Sequence, residues 1–176
     1  MKRTNEFDKT KLMQISTNKS VLNVYVDSFP IEKVRVQLTN YDTKQTVNTY
    51  IDFSTWLMLR DTAIVGRLFK ELQQGQKTIH RGGKQSSPNY NGKPESKTVT
   101  LGMLKDKVFV NASSGQGKLS PTGAIMPDGN PTVKVAVSMT VEDLIGLFSY
   151  TGAAIEAYMP KIVKELLDNA KKGEGE

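Results

Sequence analysis

The fold of this chain is decided by residues 33–69, KVRVQLTNYDTKQTVNTYIDFSTWLMLRDTAIVGRLF. Hydrophobic and polar side chains alternate along 31–41 and again along 46–53, with a polar turn between the two runs. This is the pattern of β-strands that each bury one face. From Ser54, a hydroxyl residue suited to cap a helix, hydrophobic residues recur at helical spacing until Gly75. The stretch therefore predicts an antiparallel hairpin followed by an amphipathic helix.

The same plan extends in both directions along the chain. On the amino-terminal side we predict a strand at 19–28, preceded by a flexible arm at 1–18 that pairs only in part. Thr140 begins a second helix and forms an approximate capping box with Asp143. Pro160 is expected to kink or split this helix, because proline removes a backbone donor and crowds the preceding turn. Between the two helices we predict strands near 77–81, 97–102, 107–112 and 132–139, separated by loops at 82–94 and 113–131.

These patterns predict an α+β protein with antiparallel sheets. Residues 19–170 are expected to form one domain built from two units, 19–75 and 76–170, and each unit consists of several strands followed by an amphipathic helix. The two units share a hydrophobic plan but little identity, so they form a structural pseudo-repeat. The tail at 171–176 is expected to be frayed.

The composition argues against several classes of protein. The 176 residues include no cysteine and one histidine, so disulfides, thiolate metal sites and histidine-based triads lack the residues they need. We therefore expect no enzymatic activity, no catalytic or metal-binding residues and no cofactor. No hydrophobic stretch approaches the roughly 20 residues that cross a bilayer. We expect a cytoplasmic protein that has no membrane partner.

The polar faces of the predicted strands carry the functional signal. Tyrosines lie there beside cationic and amide side chains, and the second half adds a phenylalanine and a lysine. The residues are Tyr25, Lys33, Arg35, Gln37, Tyr41, Tyr50, Phe109 and Lys134. Rings that stack on bases, next to cations that bind phosphates, are the chemistry of single-stranded nucleic-acid binding. The alternatives are that the same rings only stabilise the sheet or that another subunit covers them.

A second signal is the placement of positive charge in a chain whose net charge is +6. Between Lys77 and Lys97, five cations stand against a single carboxylate. Three residues of this segment, Lys84, Tyr90 and Lys93, join the candidate nucleic-acid-binding residues, because a basic segment between strands can line a polyanion. The alternative is a solvated loop whose lysines only aid solubility.

The order of strands and helices resembles the Whirly-type and transcriptional-cofactor-type superfamily of single-stranded-DNA-binding proteins. The resemblance is carried by 33–69 and by 131–159, PTVKVAVSMTVEDLIGLFSYTGAAIEAYM. Similar stretches occur in small proteins of conjugative elements and phages of Gram-positive bacteria. The resemblance implies two curved four-stranded sheets, each paired with a helix, whose outer faces hold unpaired strands. The short lysine-rich motif of the second Whirly strand has no match here.

The sequence thus predicts a protein that binds and protects single-stranded DNA with little sequence preference. The resemblance implies a role in mobile-element or phage DNA processing, and RNA remains an alternative ligand. We also expect homo-oligomers, because the second helix has more apolar surface than one sheet face buries. Two alternatives stay open: an oligonucleotide-binding barrel with added helices, and a non-enzymatic interaction factor of a DNA-processing complex.

Overall fold

The computed structural model describes the backbone of residues 9–173 and the side chains of residues 9–169. The strands are β1 (Lys11–Ser16), β2 (Ser20–Tyr25), β3 (Lys33–Asn40), β4 (Thr46–Asp52), β5 (Lys77–Lys84), β6 (Glu95–Leu104), β7 (Lys107–Leu119), β8 (Ile125–Pro127) and β9 (Val133–Thr140). The helices are α1 (Phe53–Ile64), α2 (Arg67–Gln74) and α3 (Val141–Gly173). Antiparallel sheets combined with helices confirm the predicted α+β class.

The strands form two sheets, one from each half of the chain. In the first sheet, β1 to β4 lie side by side in chain order. In the second sheet, β5, β6 and β7 follow in order, β9 pairs with β7, and the short β8 pairs with the far end of β7. Helices follow the last strand of each sheet. The described strands therefore make two open sheets and not the single closed barrel that one alternative requires.

The two sheets cross each other. Strand β4 contacts β5, β6, β7 and β9, while β9 contacts β1, β2, β3 and β4. Two strands that each touch all main strands of the other sheet indicate that the strands cross and do not run side by side. The hydroxyl of Ser20 links the sheets directly by donating to the carbonyl oxygen of Ala136 at 2.7 Å.

One hydrophobic core lies between the sheets and the helices. The inner face of the first sheet contributes Leu22, Val36 and Leu38, as the alternation predicts. The second sheet contributes β-branched and small residues of β6, β7 and β9. Trp56 of α1 is buried in this core and meets Phe148 of α3 edge to face at 5.2 Å. The inner faces of both sheets are thereby buried.

The strand predictions need three corrections. The predicted flexible arm contains β1, which pairs with β2 and so is an ordered edge strand; residues 1–8 lie outside the described residues. Residues 82–84 belong to β5 and not to a loop, because they pair with β6. Residues 113–119 extend β7 into the predicted second loop, because they continue its pairing with β6, β8 and β9.

The first predicted helix is in fact two helices. Helix α1 ends at Ile64 and α2 begins at Arg67, and between them Gly66 has a φ of +73°. A left-handed residue cannot continue a right-handed helix, and glycine takes this conformation most readily. The helix also begins earlier than predicted: Asp52, with extended backbone angles, is the residue before α1, and Ser54 lies inside the helix.

The second predicted helix begins as expected but does not split. The Thr140 hydroxyl accepts from the Asp143 backbone N–H at 3.0 Å, and the Asp143 carboxylate accepts from the Thr140 N–H at 3.2 Å, which confirms the capping box. Helix α3 runs through Pro160 to Gly173 as one element. Around Pro160 the helix surface is exposed, so the carbonyl that loses its donor can bind water instead.

The carboxyl-terminal half of α3 exposes apolar side chains. Met159, Val163, Leu166 and Leu167 are between 37% and 61% exposed. They are compatible with the expected self-association, which stays a prediction. Among residues 9–173, no helix combines the length and the apolar character needed to span a membrane.

Candidate nucleic-acid interface

The outer face of the first sheet carries the predicted residues Tyr25, Arg35 and Tyr50 in one row across β2, β3 and β4. The Arg35 guanidinium lies 3.7 Å from the centre of the Tyr25 ring. It also donates to both carboxylate oxygens of Asp27, from Nε at 3.0 Å and from Nη2 at 2.7 Å. Partial burial disfavours the charged form, but the hydrogen bonds to Asp27 prevail and raise the pKa of Arg35. The Arg35 guanidinium is therefore fixed in position, and its charge is already paired with the Asp27 carboxylate.

The next row of the same face is built from amides. Gln14, Asn23, Gln37 and Asn48 face one another in register across the four strands. Gln37 donates to Asn48 at 3.1 Å and accepts from Asn23 at 3.3 Å and from the Tyr25 hydroxyl at 3.1 Å. Gln37 is thus committed to the sheet. Tyr25 is only 7% exposed, so the expectation that its ring is open for stacking is wrong.

Two other predicted tyrosines remain open. Tyr50 on β4 is 42% exposed and Tyr41, which follows β3, is 37% exposed. Tyr41 lies eight residues beyond Lys33 along an extended strand, a separation of about 27 Å. Tyr50 pairs in register with Arg35, and Asp52, two residues further along the same face of β4, pairs with Lys33.

Tyr50 borders a cleft between β4 and β5, which we call the β4–β5 cleft. Its volume is about 420 Å³. The first sheet contributes Ile31, Lys33, Asn48, Thr49, Tyr50 and Asp52, and the second contributes His80, Arg81, Gly82, Gly83, Lys84 and Lys97. The cleft exists because the sheets cross where each has an edge strand, β4 in one and β5 in the other. Edge strands keep unpaired backbone groups that can bind a ligand.

The backbone at Gly83 shapes the second wall of the cleft. Gly83 has a φ of +153°, and a Cβ atom built on it would lie 1.7 Å from the carbonyl oxygen of Glu95. Only glycine allows β5 and β6 to approach this closely while they pair at Lys84 and Glu95. The close pairing fixes Lys84 at the mouth of the cleft.

The cleft is electropositive. Four cationic side chains line it, and Asp52 is the single carboxylate among its lining residues. Lys33 pairs with Asp52 at 3.1 Å, and Lys97 lies 3.8 Å from buried Glu95. Within the part of the chain that the structure describes, Arg81 and Lys84 form no ion pair. These two exposed cations are therefore available to an anionic ligand.

His80 lines the cleft, and the charged residues near it shift its pKa. Burial lowers the pKa of His80, and the nearby Lys33 and Lys97 lower it further, while Asp52 opposes the shift. The imidazole is therefore neutral at neutral pH. A phosphate placed in the cleft would favour its protonated form.

The basic loop between β5 and β6 is more ordered than a solvated loop. Buried Glu95 accepts from the hydroxyls of Ser87 at 3.2 Å and Ser114 at 2.7 Å. The Ser87 backbone N–H donates to the Lys93 carbonyl oxygen at 3.0 Å, and a short turn at Pro88–Tyr90 closes the loop. Two predicted site residues of this loop, Tyr90 and Lys93, thus stand on a compact turn outside the cleft lining.

Phe109 and Lys134 point outward as predicted, but from the second sheet. Phe109 pairs in register with Ser138, and Lys134 with Ser113, on the face opposite the core. Lys134 shares a row with Arg81, at the far end from the cleft. The structure therefore gathers Lys33, Tyr50 and Lys84 in one cleft and leaves the other predicted residues outside its lining.

The cleft also contains residues that were outside the predicted site, namely Asp52, His80, Arg81 and Lys97. The excess of cations from Lys77 to Lys97 was the signal for two of them, Arg81 and Lys97, and His80 lies in the same segment. Their proximity to β4 depends on how the sheets cross, which is not a local property of the sequence. Comparisons with known proteins do not identify the site, since no family model, curated protein or solved structure matches this chain.

Proposed function

We propose that this protein binds single-stranded nucleic acid, with DNA as the expected ligand, in the β4–β5 cleft. The observation that supports the proposal best is that the exposed Tyr50 of the first sheet and the unpaired cations Arg81 and Lys84 of the second sheet line the same cleft. Rings that stack on bases and cations that bind phosphates are the two parts that a single-strand groove combines.

The role proposed for each cation follows from whether it already forms an ion pair within the protein. Arg81 and Lys84 would contact phosphates and release counterions, so affinity falls as salt rises. Lys33 is already paired with Asp52 and would contribute less. Tyr50 would stack on a base with little regard for its identity, since every base offers a π-face. A base is free to stack in this way only in an unpaired strand, which favours single strands over duplexes.

The proposed role is to sequester and protect unpaired strands. Its support beyond the cleft is the strand and helix order, in which each antiparallel sheet is followed by a helix. We extend the proposal to membership of the Whirly-like group and to DNA processing in mobile elements or phages, on the strength of that order alone.

The proposal is tested by fluorescence polarization of a labelled oligo(dT) titrated with the protein at several salt concentrations. Arg81→Ala and Lys84→Ala should each reduce the slope of log affinity against log salt by about 0.7, the value for one phosphate on a single strand. Tyr50→Ala should weaken binding by about 1 to 3 kcal/mol and leave the slope unchanged.

Matched controls separate the site from general effects. Lys70→Ala removes an exposed lysine from α2, and Tyr150→Ala removes a tyrosine that is 58% exposed on α3. Neither should change affinity or slope by a measurable amount. Absence of salt-sensitive binding at micromolar protein, or equal losses in the cleft and control variants, would overturn the proposal.

A further inference from the structure

A second cavity lies at the other end of β5 and plays no part in the cleft. It has a volume of about 500 Å³ and sits between the end of α2 and the β6–β7 hairpin. We call it the glutamine recess, after the lining residues Gln73, Gln74 and Gln76; Gly102, Phe109 and Asn111 complete its polar and aromatic walls. Gln76 is six residues from Gly82, so the two cavities are about 20 Å apart along the strand.

The register of the second sheet shapes the recess. Gly102 of β6 lies directly opposite Phe109 of β7, on the outer face of the sheet. Gly102 has no side chain, and Gln76 reaches over it: a Cβ built on Gly102 would lie 3.3 Å from the Gln76 Cγ. Phe109 is only half-buried. Gly102 therefore forms the floor of the recess, with the Phe109 ring on one side and the exposed Gln76 amide on the other.

The side chains that line the recess indicate which kind of ligand it can bind. Among residues 9–169, whose side chains the structure describes, those that line the recess include no Lys, Arg, His, Asp or Glu, so they offer no counterion for a phosphate. Its amides both donate and accept hydrogen bonds. A glutamine or asparagine amide fits the N6 and N7 edge of adenine with two hydrogen bonds, and an aromatic ring stacks on the base. A neutral planar heterocycle with adjacent donor and acceptor groups matches these walls.

We propose that the glutamine recess binds one adenine base of the strand that the β4–β5 cleft holds, an inference that rests on the proposed function. Phe109 stacks on the base, and Gln76 and Asn111 contact its edge. The cleft alone has no reason to prefer a base. The recess gives the protein a preference for strands that contain adenine at a fixed distance from the phosphates bound by Arg81 and Lys84.

The first arm of the test uses adenosine, which has no phosphate, and cytidine as its control. Side-chain amide resonances are followed by NMR during titration of the full chain. Adenosine should shift the amide signals of Gln76 and Asn111, and cytidine should not. Absence of any adenosine response at millimolar concentration would overturn the recess.

The second arm compares oligo(dA) with oligo(dC) by polarization. The wild-type chain should prefer oligo(dA), and Gln76→Ala should reduce that preference about fivefold or more. Phe109→Ala should reduce the preference for oligo(dA) as well. If Phe109→Ala fails to fold, Gln76→Ala still tests the recess, because Gln76 is exposed and its loss should not affect folding. The matched control is Asn169→Ala, which removes an exposed amide from α3 and should leave the preference intact.

The two arms distinguish this inference from the proposed function. If adenosine shifts the Gln76 and Asn111 signals but oligo(dT) does not bind, the recess stands as an adenine site and the proposed function fails. If oligonucleotides bind through the cleft with equal affinity for dA and dC, the proposed function stands and the recess fails. If Phe109 only covers the backbone at Gly102, neither adenosine shifts nor a dA preference will be observed, and the inference is overturned.

Discussion

Residues of one type have different roles on the first sheet, depending on their neighbours. Tyr25 and Tyr50 stand in the same row, yet Tyr25 is buried with Arg35 against its ring and Tyr50 is open at the edge. The alternation of side chains predicted that both point to the outer face. It did not predict their exposure, because exposure depends on side chains from adjacent strands and on which strand lies at the edge.

His80 allows a prediction that involves a single residue. It is the only histidine in the chain, and its folded pKa is lowered from an ordinary value of about 6.5. The unfolded chain therefore binds the proton first as pH falls. The free energy of unfolding should fall as pH drops below about 6.5, and it should fall less in the His80→Gln variant over the same pH range.

Thermal unfolding of both proteins between pH 5 and 8 provides the measurement, with the comparison made on pH dependence and not on absolute stability. The imidazole NMR resonance gives a direct check. Its pKa should lie below the ordinary value in the free protein and rise when oligo(dT) is added, because phosphates favour the imidazolium. A raised pKa in the free protein, or a pKa insensitive to saturating oligo(dT), would contradict this account of His80.

At the scale of elements, the start of the last helix could be predicted from neighbouring residues, but the break between α1 and α2 could not. The Thr140 and Asp143 capping box was readable from spacing, because it depends on residues three positions apart. The break at Gly66 was hidden inside a continuous hydrophobic pattern, since glycine is also tolerated within helices at a modest cost. Partial pairing of the arm was expected, but the bounds of β1 were not predicted, because its sequence lacks the clear alternation of the other strands and its pairing depends on β2.

Two glycines in helical segments should respond in opposite ways to alanine. Gly66 has a φ of +73°, so Gly66→Ala should reduce the free energy of unfolding by about 1 kcal/mol even though its Cβ would meet no atom within 4 Å. Gly146 lies inside α3 with equally open space, so Gly146→Ala should raise it by about 0.5 to 1 kcal/mol. Urea unfolding measures both. Stabilisation by Gly66→Ala would show that the break between α1 and α2 is not required by the fold.

At the scale of the whole molecule, the crossing of the two sheets creates the candidate site. Lys33 and Lys84 are 51 positions apart in the sequence and line one cleft because β4 and β5 meet as edges. The sequence predicted most of the strands, the faces of those strands and the basic segment. The meeting of the edges is a long-range tertiary contact, and no local pattern encodes it, so Arg81 and Lys97 could not be assigned to the site in advance.

The most direct test of the central claim is a map of backbone amide shifts on adding oligo(dT), recorded by two-dimensional NMR of the uniformly labelled protein. A strand in the β4–β5 cleft should produce its largest shifts along 48–52 and 80–84, where the two walls meet. Shifts confined to other surfaces, such as the far end of β3 near Tyr41 or the outer face around Lys134, would contradict the account.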